Sequence, residues 1–265
     1  MNQSVAIAAR LDALFSLRGH HALVTGGSSG LGEEIACALA SAGADVTLVG
    51  RDQQKLDAVA QRITDLGQNA TTCAANLLSN DGVATVLACA ANSKRPVDIL
   101  VNAAGVNLRA AADRVTRDDW NATLQLNLTV PFFLAQGLVP TMLSAGWGRV
   151  INIGSLQSVR AFPNSSAYGA SKGGIVQLTR HMAEAWSKGG VCCNAISPGL
   201  FRTPLTEAQF VDDGGAAAKA VAARTCVGRN GEATDIRGLA IYLASPASAF
   251  MTGQTLFLCG GLTAR

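Results

Sequence analysis

The sequence predicts an α/β fold: one Rossmann-type domain with a doubly wound, seven-stranded parallel sheet, helices on both faces and a helical lid. Three observations predict it. Short apolar runs alternate with longer helical patterns between residues 21 and 258. Several of those runs are apolar at almost every position, as parallel strands covered on both faces are. The first run leads directly into T-G-G-S-S-G-L-G (25–32) ahead of a helical pattern, which is how a βαβ unit presents backbone to a phosphate.

The strand-like runs are H-A-L-V-T (21–25), A-D-V-T-L-V (44–49), A-T-T-C-A-A (70–75), V-D-I-L-V-N (97–102), R-V-I-N-I (149–153), V-C-C-N-A-I (191–196) and Q-T-L-F-L (254–258). Helical patterns fill 30–42, 52–66, 79–92, 117–145, 166–188 and 232–244. Strand alternating with helix implies right-handed crossovers and a parallel sheet. No linker or repeat divides the chain, so residues 1–265 read as one domain. Pro131 falls inside the 117–145 pattern and should bend or break it. Residues 200–229 contain no strand. They carry Pro204, Gly214-Gly215 and an Ala-rich run, and read as a helical insertion with flexible joints, the lid. Residues 1–17 are amphipathic. Asp12 and the scarcity of basic residues favour a short packing helix over a transit peptide.

Composition narrows the function. With 265 residues, 49% hydrophobic and 15% charged, the chain can bury a large core. A net charge of +3 without a basic cluster gives no argument for nucleic acid. No apolar run reaches the length of a membrane span. The seven cysteines (37, 73, 89, 192, 193, 226 and 259) are odd in number, scattered and lack C-x-x-C spacing. They suggest a cytoplasmic protein with reduced, buried thiols, not a disulfide framework or metal site. His20, His21 and His181 do not join them, so no metal is expected.

Two stretches carry chemistry. In the phosphate loop, Gly26, Gly30 and Gly32 let backbone pass close to a ligand, and the helix start offers unpaired N–H groups to an anion. The second strand ends at Gly50-Arg51, where a ribose-binding acid would otherwise stand. An arginine there suits the 2′-phosphate of NADP, so NADP(H) is preferred, with NAD(H) kept open because Asp52 follows. The other stretch is Ser155 to Lys172. Tyr168 and Lys172 lie four apart in a helical pattern and share a face. A cation beside a phenol lowers its pKa from about 10 towards working pH. Ser155, at the end of an apolar strand, could place a hydroxyl at the same spot.

T-G-G-S-S-G-L-G, N102-A-A-G105, Asn127, Ser155, Tyr168-x-x-x-Lys172 and Pro198-Gly199 occur in one order over the whole framework. The set closely resembles the short-chain dehydrogenases/reductases, from about Arg18 to Thr263. The resemblance implies that Tyr168 is the catalytic acid or base. It implies that Lys172 lowers the tyrosine's pKa and holds the nicotinamide ribose, that Ser155 bonds the substrate oxygen, and that Asn127 holds a proton-relay water. It also implies a cofactor site of Gly26, Ser28, Ser29, Gly30, Leu31, Gly32, Arg51, Asn76, Leu77, Asn102, Ala103, Gly105, Tyr168, Lys172, Pro198, Gly199 and Thr203. Two positions depart from the family: Asn76 and Cys259 stand where an Asp is usual.

For the substrate, Arg109, Arg160 and Arg202 offer cations for a carboxylate or phosphate. Gln157 offers hydrogen bonds, and Phe162 and Phe201 apolar walls. Within the family, G-S-L-Q-S and N-A-A-G-V-N-L-R look similar to gluconate 5-dehydrogenase-like members, which implies a keto sugar acid or polyol as substrate. The alternatives are a 3-oxoacyl-thioester (acyl carrier protein) reductase and a non-catalytic NADP-binding sensor. The family also implies a homotetramer or homodimer, paired through the two long helices and the last strand.

Overall fold

The computed structural model describes residues 3–264. The strands are β1 (His21–Thr25), β2 (Asp45–Gly50), β3 (Ala70–Ala74), β4 (Ile99–Asn102), β5 (Gly148–Ile153), β6 (Val191–Pro198) and β7 (Thr255–Leu258). The helices are α1 (Gln3–Phe15), α2 (Gly30–Ser41), α3 (Gln53–Asp65), α4 (Gly82–Ala91), α5 (Arg117–Leu124), α6 (Val130–Ala145), α7 (Ser166–Trp186), α8 (Glu207–Val211), α9 (Ala216–Ala222) and α10 (Arg237–Ala244). All seven strands are parallel, in the order β3-β2-β1-β4-β5-β6-β7.

Alternation along each strand divides the core in two. Ala22, Val24, Val46, Leu48, Ile99, Val101 and Ile151 face α2, α3 and α10. Leu23, Val49, Leu100, Val150 and Val191 face α4, α6 and α7. Local chemistry sets the helix ends. Asp52 caps α3 through the Lys55 N–H at 3.2 Å, and Thr116 caps α5 through the Asp119 N–H at 3.0 Å.

The 117–145 helix forms as expected, and its irregularity has a clear cause. Residues Gln125–Thr129 form a π turn in which the Val130 N–H bonds the Gln125 carbonyl. Pro131 cannot donate to the Asn127 carbonyl four residues earlier, so regular α-helical bonding fails there. This 29-residue helix is long and apolar enough, by length and composition alone, to cross a membrane, which corrects the reading that no such run exists. It lies on the sheet instead, burying Val130, Leu134, Ala135, Leu138, Val139 and Met142.

The cysteine expectation also needs correction. Cys73 on β3 and Cys89 on α4 form a disulfide, while Cys37, Cys192, Cys193, Cys226 and Cys259 are free thiols. The crossover from β3 through α4 folds the chain back on itself and brings the two Cα atoms to 6.3 Å. A separation of 16 residues with no motif gives no sign of this pairing in the sequence.

Residues 200–229 hold α8 and α9. Between them Asp213, Gly214 and Gly215 have φ values of 46°, 63° and 75°, a left-handed joint that the glycines tolerate.

Candidate active site

The strand order reverses direction between β1 and β4, and the crevice above their C-terminal ends is where open α/β sheets bind ligands. T-G-G-S-S-G-L-G leaves β1 there. Gly26 has φ +67°, and a Cβ on it would stand 2.9 Å from the Ala104 backbone. A Cβ on Gly32 would collide with the Gly26 carbonyl. The loop thus closes so tightly that only glycine fits. Ser29, the N-cap of α2, makes no side-chain cap, so the helix presents open N–H groups to an anion. Thr203, from the far side of the crevice, sits 3.3 Å from where a Gly30 Cβ would be. These features fit a dinucleotide pyrophosphate.

Arg51 is exposed and forms no ion pair among the described residues. Asp52 is occupied as the α3 cap, with Lys55 Nζ at 3.5 Å, and the Lys55 backbone N–H holds its carboxyl below the usual range. An acid at this point therefore serves the helix, and the arginine faces solvent. Asn76 is exposed, with its Oδ1 accepting the Leu78 N–H at 3.2 Å. The side chain of Leu77 is buried in the core, so only its backbone could meet a ligand. Asn102 is buried and donates to Asn152 Oδ1 at 2.8 Å, bracing β4 against β5.

Ser155, Tyr168, Lys172 and Asn127 converge at the end of β5. Lys172 is 5% exposed, and its Nζ donates to the Ile153 carbonyl at 2.6 Å while standing 5.6 Å from the Tyr168 ring centre. Ser155 stands on the Tyr168 side of the site and acts to lower the phenol's pKa. The Asn127 side chain clamps Val106: its Oδ1 accepts the Val106 N–H and its Nδ2 donates to the Val106 carbonyl, both at 2.9 Å. Nδ2 also reaches Ser171 Oγ at 3.1 Å, and Ser171 donates to the Tyr168 carbonyl at 2.8 Å. A Cβ on Gly105 would meet Asn127 Oδ1 at 3.3 Å and Lys172 Nζ at 3.9 Å. The sequence reading missed Ser171, although it adjoins Lys172.

A family model described as enoyl-(acyl carrier protein) reductase matches residues 26–263. The chain is 37% identical to a gluconate 5-dehydrogenase of Gluconobacter oxydans, over 94% of this chain and 97% of that protein. The chain is a short-chain dehydrogenase/reductase. A 3-oxoacyl-[acyl-carrier-protein] reductase of Vibrio cholerae is 34% identical, over 93% of this chain and 98% of that one. Among solved structures, a gluconate 5-dehydrogenase from Burkholderia cenocepacia in complex with NADP and tartrate superimposes with a TM-score of 0.90 at 37% identity, covering 96% and 99% of the two chains.

In this dehydrogenase/reductase, burial acts in opposite directions on the two central groups. It pushes the Lys172 ammonium down to about 8. It raises the Tyr168 hydroxyl, and the hydrogen bond from Ser155 partly offsets that rise. In the ligand-free site burial therefore outweighs what lowers the phenol, contrary to the simplest expectation. A cationic nicotinamide would act in the lowering direction.

The predicted substrate residues are less convergent. Arg202 is bound in a bidentate pair to Glu207, at 2.6 and 3.1 Å, and lies over Phe210. Arg109 is exposed and donates to the Pro163 carbonyl at 3.3 Å, tying together the two loops that flank the site. Arg160 and Gln157 are half-buried in the segment after Ser155. Phe162 packs with Leu156, Cys259 and Leu262. Phe201 is 3% exposed and packed on Gly231, so it is buried structure instead of an open wall. A cavity of about 230 Å³ beside it is lined by Gly199, Leu200, Arg229 and Cys259, and by none of Ser155, Tyr168 or Lys172.

Pro198 ends β6, and a Cβ on Gly199 would stand 2.9 Å from the Cys259 backbone. Cys259 has a structural role. Burial raises its thiol, but bonds from the Thr263 hydroxyl and the N–H groups of the closing turn outweigh that and hold it below its usual value. The thiol accepts where a carboxylate would accept.

Proposed function

We propose that this dehydrogenase/reductase transfers a hydride between NADP(H) and a polar keto sugar acid or the corresponding hydroxy acid. The convergence of Ser155, Tyr168 and Lys172 beside a phosphate-binding loop carries the reading. NADPH, when bound, supplies the hydride. The chain supplies the rest. Ser155 donates a hydrogen bond to the substrate oxygen, and Tyr168 delivers the proton that neutralises the developing alkoxide. Lys172 favours the phenolate left behind. Asn127, beside Gly105 and Lys172, lies on the route by which a proton would be replaced. In alcohol oxidation the same groups run in reverse, with Tyr168 as base.

NADP is favoured by the exposed Arg51 and by the NADP complexes of similar structures. Arg51→Ala should weaken NADPH binding by about 10- to 100-fold, the scale of a lost charge-assisted bond to phosphate, and leave NADH nearly unchanged. Fluorescence titration checks this, and equal effects on both cofactors would reverse the preference.

A sugar acid is favoured by the similarity to gluconate 5-dehydrogenases. Similarity to the Vibrio cholerae reductase keeps a 3-oxoacyl thioester as the competing substrate. Initial rates of NADPH consumption with the two substrates discriminate between them. A non-catalytic sensor is disfavoured because all four acid–base positions are filled. A homotetramer is supported by exposed Trp120, Phe133 and Leu143 on α5 and α6 and by Phe257 on β7, apolar groups that a second copy would cover.

A further inference from the structure

Ser158 follows Ser155 by one short helical turn, and nothing above gives it a role in the chemistry. Its contacts do. Ser155 is the second residue beyond β5 and has extended backbone, φ −168° and ψ 166°. The sheet ends before it: the Gly154 N–H donates to the Ile196 carbonyl at 2.7 Å, and Ser155 has no strand partner. Residue 158 takes over. The Ser155 N–H donates to Ser158 Oγ at 3.2 Å, and the Ser158 N–H donates to the Ser155 carbonyl at 3.0 Å. Both backbone polar groups of Ser155 are thus held by one residue, as in a capping box.

The grip fixes more than backbone. A hydroxyl has one hydrogen and two lone pairs. The Gln157 N–H occupies one lone pair of Ser155 Oγ, at 3.1 Å. Its hydrogen and other lone pair are left for the side of Tyr168, where Ser155 acts in the direction that lowers the phenol's pKa. The turn that aims the hydroxyl is itself anchored. Leu156 is buried against Cys259 and Leu262, and the Ser158 carbonyl lies 3.9 Å from the Cβ position of Gly173 on α7, next to Lys172. Gly154 is required as well, because a Cβ there would collide with the buried Ser197 Oγ and stand 3.3 Å from Ser158 Oγ.

We propose that Ser158 is a positioning residue for the reaction: its side-chain oxygen holds the Ser155 backbone so that the Ser155 hydroxyl stays beside Tyr168, free to donate its one hydrogen to a substrate oxygen placed there. The proposal rests on the reading of Ser155 and Tyr168 as the acid–base pair. It replaces the simpler idea that this segment only offers hydrogen bonds to substrate.

The test is a double-mutant cycle on the full-length enzyme: Ser155→Ala, Ser158→Ala, both together, and Ser158→Thr, which keeps the acceptor oxygen. The readouts are kcat and KM for reduction of a keto sugar acid at saturating NADPH, the pH profile of the reverse oxidation, and NADPH affinity by fluorescence. Ser158→Ala should lower kcat about five- to tenfold, the scale of one lost hydrogen bond, without changing NADPH affinity. The pH at which oxidation switches on should move up, because Tyr168 loses the bond that favours its phenolate. Ser158→Thr should restore both. The double variant should be no slower than Ser155→Ala, since residues acting as one unit are not additive. An unchanged kcat and pH profile in Ser158→Ala would overturn the proposal. So would a double variant slowed by the product of the single effects, or a Ser158→Thr variant as slow as the alanine. If Ser155→Ala itself retains full kcat, the acid–base assignment fails, and this inference fails with it.

Discussion

Replacing Tyr168 with phenylalanine lowers kcat by about 10²- to 10⁴-fold, the range that a positioned general acid contributes. The ring remains in place beside Lys172, whose Nζ stands 5.6 Å from its centre, so the wall next to the cofactor keeps its shape. NADPH affinity should therefore stay close to that of the unaltered enzyme. The two quantities separate cleanly: stopped-flow loss of NADPH absorbance reads the chemistry, and fluorescence titration reads binding. A phenylalanine variant that still turns over at the original rate would remove Tyr168 from the mechanism. One that loses NADPH binding in parallel would make it a structural residue.

Lys172→Met should abolish efficient turnover and yet stabilise the fold at neutral pH. The ammonium is buried, with one carbonyl partner at 2.6 Å, and burial lowers its pKa from 10.5 to about 8. The sign follows from proton counting. Between about pH 8 and 10.5 the unfolded chain binds more protons at this lysine than the folded chain does, so its contribution to stability rises with pH across that window. Below pH 8 both states are charged, and the folded state bears the whole cost of burial, on the order of 3 kcal/mol. Methionine removes that cost and loses one hydrogen bond. The variant should therefore unfold at higher urea concentration than the parent at pH 7, and the difference should shrink towards pH 10.5. A difference independent of pH, or a variant less stable at pH 7, would contradict the assigned burial cost. The oxidation profile should also shift to higher pH, since no cation remains to favour the Tyr168 phenolate.

Much of this architecture is legible in the residues. The strand runs are close to the observed strands because buried parallel strands are apolar at almost every position, and the turn after β1 is marked by glycines that no other residue could replace. Ser155, Tyr168, Lys172 and Asn127 do come together, as their order along the framework implies. The illegible parts are long-range or context-dependent. Cys73 and Cys89 meet only because a whole strand–helix unit folds back, and scattered cysteines carry no sign of it. Arg202 looks like an available cation until α8 places Glu207 against it. Asp52 looks like a ribose-binding acid until it is seen to cap α3. The rise in Tyr168 depends on how deeply the site is buried, and spacing alone does not report that. The S-x-x-S spacing of Ser155 and Ser158 was visible throughout. Its meaning depended on where β5 stops pairing.

The central claim is hydride transfer from NADPH to a polar keto sugar acid. The most direct measurement is kcat/KM for NADPH oxidation by purified enzyme with 5-keto-gluconate and, in parallel, with a 3-oxoacyl thioester. The expected result is saturable turnover of the keto sugar acid, with kcat/KM at least about 100-fold above that for the thioester, as a pocket built to hydrogen-bond substrate hydroxyls would give. Preference for the thioester, or NADPH binding with no turnover of either ketone, would contradict it.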